Sequence, residues 1–192
     1  MTRIALSARR SLMFAALFVT SACAGPSPDD TFTMTAPSYD DFRNLTGVPV
    51  GDVFAAHCGT LDCHGSAARN LRIYSVDGLR LDPHDVPNQK SAASQQFGTT
   101  EAEYQATYES IVSIEPERLS QIVQANGAGS EHWLVLGKGR DVQDHKGGQR
   151  LVPGDAADTC IVLWVSGAPV TSMEFQAACA DGSVVVPPGG PW

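Results

Sequence analysis

The chain has 192 residues, with 13 Lys and Arg against 21 Asp and Glu and a formal net charge of −8. That length suits one domain with tails. The acidic balance excludes binding to nucleic acid or to anionic lipid by charge alone.

Residues 1–22 read as an export signal. Arg3, Arg9 and Arg10 make a positive start, and Leu12 to Val19 is an apolar core too short to span a bilayer. Thr20-Ser-Ala-Cys23 resembles a lipoprotein processing box, which implies lipidation of Cys23 and a membrane anchor, with plain cleavage after Ala22 or Ala24 as the alternative. Removing residues 1–22 leaves 10 basic residues against 21 acidic, a net −11. Residues 23–40 are rich in Pro, Ser, Thr and Asp and read as a lipid-anchored flexible tether. The folded domain is expected over 41–180, and 181–192, with Pro187-Pro-Gly-Gly-Pro191, as a disordered tail. The expected location is periplasmic or cell-envelope, where disulfides persist.

Val50 to His57 is apolar enough for one or two helical turns. Residues 69–79 alternate polar and apolar around Asp77-Gly78, which suits a small hairpin or an extended loop. Residues 82–98 read as loop. A helix is expected over Glu101–Val112, with Thr100 as cap, Glu103 as its reciprocal partner, and Tyr104, Tyr108, Ile111 and Val112 on one stripe. A second starts near Pro116 and ends at Gly127. A third runs from Asp155 to Ser166, closed by Gly167 and Pro169, with Ile161, Trp164 and Val165 inward. The expected fold class is all-α with long loops.

The chemistry concentrates in His57-Cys-Gly-Thr-Leu-Asp-Cys-His-Gly65. Two thiols just before a histidine suit covalent haem attachment: Cys58 and Cys63 each add to a vinyl group, and His64 ligates the iron as proximal axial ligand. The usual box has two residues between the cysteines; this one has four. With this box the chain resembles a c-type cytochrome. A six-coordinate haem needs a ligand opposite His64, and the candidates are His57, His84, His132, His145, Met34 and Met173. The run from Ser130 through Asp144-His-Lys-Gly-Gly148 and Pro153-Gly-Asp155 to Ile161-Val-Leu-Trp-Val-Ser-Gly167 is similar to the C-terminal half of cytochrome c-like domains in large exported bacterial proteins. That resemblance implies His145 as distal ligand, with Met173 as the alternative. It also implies a cytochrome c-like helical domain around one covalent haem c.

With Cys23 assigned to lipid and Cys58 and Cys63 to haem, Cys160 and Cys179 remain and are expected to form a disulfide. The resulting expectation is a tethered monohaem cytochrome passing single electrons between protein redox partners, a carrier rather than an enzyme. Two other readings stay open. One is a binding lipoprotein stapled by zinc at His57, Cys58, Cys63 and His64, or by a disulfide between the two cysteines. The other is a haem peroxidase or sensor with an open distal position.

Overall fold

A computed structural model describes residues 33–44, 46–89 and 98–184. Among them are seven α-helices, one 3-10 turn at Ser130–His132 and no β-strand. The helices are α1 (Tyr39–Arg43), α2 (Val50–Cys58), α3 (Glu101–Val112), α4 (Pro116–Gln124), α5 (Leu134–Gly139), α6 (Ala156–Val165) and α7 (Met173–Gly182). The fold is all-α, and no described helix is long and apolar enough to cross a membrane.

Helix α3 has the expected bounds because both ends of its capping box form. The Thr100 hydroxyl accepts the Glu103 N–H at 3.3 Å, and the Glu103 carboxylate accepts the Thr100 N–H at 2.8 Å. Helix α6 starts after Asp155, whose carboxylate accepts the Asp158 N–H at 2.8 Å. The alternating run at 69–79 yields one isolated bridge, Tyr74 to Leu79, rather than a hairpin. Its donors go elsewhere: the N–H groups of Arg72 and Tyr74 bond the hydroxyls of Ser110 and Thr107 on α3.

The core is aromatic at its centre. Trp164 on α6 packs against Phe42 of α1 at 5.2 Å and Phe54 of α2 at 6.2 Å between ring centroids. These three side chains are at most 1% exposed, and each contributes about 1.5–3 kcal/mol by burial. Helices α6 and α7 pack together, joined by the Cys160–Cys179 disulfide.

Three elements were not expected. Helix α1 begins at Tyr39, inside the expected tether, and the segment just before it is bonded to the domain. Pro37 is buried, its carbonyl accepts the Tyr108 hydroxyl at 2.7 Å, and the Ser38 carbonyl accepts the Trp164 indole N–H at 2.8 Å. Two aromatic donors leaving water need acceptors, and an aperiodic polar segment supplies them from its backbone. Helix α7 runs to Gly182, into the expected tail, and α5 forms in a stretch to which no element was assigned. The export signal, Cys23 and residues 185–192 lie outside the described residues.

Candidate functional site

Helix α2 ends at Cys58, and the chain then folds into a tight loop. The Cys63 N–H bonds the Thr60 carbonyl at 2.9 Å, and the His64 N–H closes back on the Cys58 carbonyl at 2.9 Å. The two ends of the four-residue spacer are thereby stitched together. Gly65 and Gly78 both press on the Gly59 carbonyl oxygen, and a Cβ at either position would collide with it. Only glycine lets the residue after His64 approach so closely.

His64 is half-buried and fixed in direction. Its Nδ1–H donates to the Leu71 carbonyl at 3.0 Å. Burial, and after it the neighbouring His145 and Arg69, holds its pKa below the usual imidazole value against the opposing Leu71 bond. His145 is oriented in the same way: its Nδ1–H donates to the Gly148 carbonyl at 3.3 Å, while the Gly148 N–H returns to the His145 carbonyl at 2.9 Å. Gly148 holds a φ of +66°, which favours glycine there.

The two imidazoles face one another with planes 10° apart and centroids 5.9 Å apart. An offset aromatic pair spans about 4.5–7 Å. Two imidazoles trans on one metal ion, at about 2 Å per metal–nitrogen bond, give centroids about 6 Å apart. Hydrogen bonding fixes the tautomer of each ring. A carbonyl only accepts, so each Nδ1 carries the proton and each Nε2 presents a lone pair, with no hydrogen bond to it among the described residues. This is the tautomer of a metal-ligating histidine.

The rings line a cavity of about 260 Å³ that opens to the surface, bordered also by Cys63, by the cations Arg69, Lys138 and Lys146, and by the acids Asp62 and Asp144. It lies below the ~300–1,000 Å³ usual for ligand clefts, so a large planar group would overfill it and extend to solvent. Cys58 and Cys63 are free thiols. Burial, then the nearby Cys63, pushes the Cys58 pKa up to about 12, against the opposing Arg150.

The other sequence candidates go elsewhere. Both ring nitrogens of His57 face carbonyls, Arg150 at 3.0 Å and Gly182 at 2.8 Å, so it has none left for a metal. His84 and His132 are exposed, Met173 is 89% exposed at the start of α7, and Met34 lines a separate groove. No three His, Cys, Asp or Glu side chains gather as a metal site among the described residues. The zinc staple would need His57, whose two ring nitrogens both face carbonyls, and Cys58 and Cys63 are free thiols rather than a disulfide.

Three residues not singled out from the sequence hold the loop that carries His145. Arg140 bonds Asp158 of α6 through Nε at 2.6 Å and Nη2 at 2.9 Å, and Asp158 also accepts the Gly154 N–H at 2.8 Å. Arg150 reaches the Cys63 sulfur at 3.9 Å while its carbonyl takes His57. In sequence Asp158 reads as an acid in a first helical turn; nothing in that pattern names a partner 18 residues away.

No family model, no curated protein and no solved structure matches the chain.

Proposed function

We propose that this chain is an exported monohaem c-type cytochrome that carries single electrons, with Cys58 and Cys63 as thioether cysteines and His64 and His145 as the axial pair. The observation that carries the reading is the facing imidazole pair, parallel, 5.9 Å apart, each with Nδ1 spent on a carbonyl. The box brings its own support: the spacer loop ties Cys58 to His64 backbone to backbone. Arg69, Lys138 and Lys146 border the same cavity against two acids, Asp62 and Asp144, and the small positive excess would suit the carboxylates of a haem.

When bound, haem iron supplies reversible one-electron exchange, with a potential set by its axial ligands and their surroundings. The protein's part is to orient and to protect. The Leu71 and Gly148 carbonyls keep both rings in the ligating tautomer. Burial disfavours protonation of His64, which would remove its lone pair. Were His145 to hold the iron together with His64, it would occupy the position that peroxide or gas needs, which favours a carrier over a peroxidase or sensor. A partner protein would supply and take the electron, and the tether expected over 23–40 would keep the domain near a membrane.

The test is a pyridine haemochrome spectrum after acid–acetone extraction, on protein made with a cytochrome c maturation system. Haem that stays with the protein is expected. Haem lost to the solvent, or a colourless protein, removes the reading.

A further inference from the structure

A second cavity, of about 360 Å³, lies between α2, the turn at 75–78 and the start of α3. The polar side chains that line it all end in oxygen: the carboxylates of Asp52 and Asp77 and the hydroxyls of Ser75, Thr99, Tyr104 and Ser183. No Lys, Arg or His among the described residues lines it. Ser75 is 2% exposed and its hydroxyl has no hydrogen-bond partner among the described residues. A buried hydroxyl without a partner costs about 1–3 kcal/mol, so the position calls for a ligand.

The carboxylates make the same case. The Tyr104 hydroxyl donates to one Asp52 oxygen at 2.6 Å, and the other oxygen has no hydrogen bond among the described residues. Burial raises the Asp52 pKa, and the charge on Asp77 raises it further, against the Tyr104 bond. Two carboxylates thus line one cavity with no counter-charge among the described residues that line it. A water molecule would satisfy Ser75 and leave that repulsion in place. A hard divalent cation answers both, since calcium takes carboxylate, hydroxyl and water oxygens in flexible geometry.

We infer that this cavity is a calcium site, with Asp52 and Asp77 as carboxylate ligands, Ser75 as a hydroxyl ligand and water completing the shell. Only two ligands are charged and Asp77 is exposed, so affinity falls in the weak range of extracellular sites, about 10⁻⁴–10⁻³ M. Asp52 stands on the helix that ends at Cys58, so the cation would brace the helix leading into the Cys58–His64 loop. The inference needs no haem, and its test leaves the electron-carrier reading untouched in either outcome.

The experiment titrates the chelator-treated full chain with terbium and then with calcium, reading tyrosine-sensitised terbium emission and melting temperature. Tyr104 touches a ligand and serves as antenna. Saturable emission displaced by calcium is expected, with a melting temperature about 3 °C higher at ten times the dissociation constant. Asp77→Asn should weaken binding at least about tenfold, two charged ligands becoming one. Asp77 is exposed, so this variant folds even if Asp52→Asn does not. No saturable emission, or equal affinity in Asp77→Asn and the parent, overturns the site and leaves Ser75 to water.

Discussion

Replacing Asp158 by Ala tests how the loop bearing His145 is held. The Asp158 side chain is 4% exposed and its partner Arg140 12%, with two hydrogen bonds at 2.6 and 2.9 Å between them. The substitution leaves a guanidinium out of water with no counter-ion, and also strips an acceptor from the Gly154 N–H. Breaking a buried pair from one side costs about 3–5 kcal/mol. For a domain of this size that is a fall in melting temperature of about 6–20 °C. The assay is urea unfolding of parent and variant under identical metal and haem loading. The double variant Arg140→Met with Asp158→Leu should recover most of the loss, because apolar replacement of a whole buried pair is often neutral. A loss below about 1 kcal/mol in Asp158→Ala, the range of an exposed pair, would show that the pair is solvated and does not hold the loop.

Gly65→Ala should cost more than a typical surface change, because its Cβ meets the Gly59 carbonyl; stability to urea and haem content should fall together, and a fully stable variant would contradict the packing of the box loop. Cys160→Ser with Cys179→Ser opens a closure of sequence separation 19 and should cost about 3 kcal/mol in the chain-entropy model, measured by melting with no change in absorption bands. In chain produced without haem, Cys58 should resist iodoacetamide, since a pKa of about 12 leaves roughly one thiolate in 10⁴ at pH 8. The folded chain then holds that proton longer than the unfolded one, so its stability should fall as pH rises from about 8.5 toward 12. Rapid alkylation of Cys58 at pH 8 under native conditions would refute its burial.

Local signals carried the helices they belong to. Thr100 with Glu103, Pro116, and Asp155 after Pro153-Gly154 each mark a helix start by short-range hydrogen bonding or fixed φ, and α3, α4 and α6 begin there. Trp164 was legible as core from its stripe, and it is core. Helix α1 was not legible, because what orders it is remote: the Tyr108 and Trp164 donors come from 71 and 126 residues away. The same holds at the candidate site. Cys58, Cys63 and His64 announce themselves by adjacency, and Gly147-Gly148 marks the turn at His145. The carbonyls that set the two tautomers belong to Leu71 and Gly148, and a backbone acceptor leaves no trace in residue type. His57 shows the converse, since a histidine beside the box reads as a ligand until its nitrogens are seen facing the Arg150 and Gly182 carbonyls.

The central claim is that His64 and His145 hold one covalent haem between them. The most direct measurement is the absorption and electron paramagnetic resonance spectrum of the haem-loaded protein beside its His145→Ala variant. The account predicts a low-spin spectrum of two imidazole ligands in the parent, and in the variant a high-spin iron or a different sixth ligand with haem still covalently attached. A variant spectrum identical to the parent would remove His145 from the iron, and a parent that carries no haem would contradict the account as a whole.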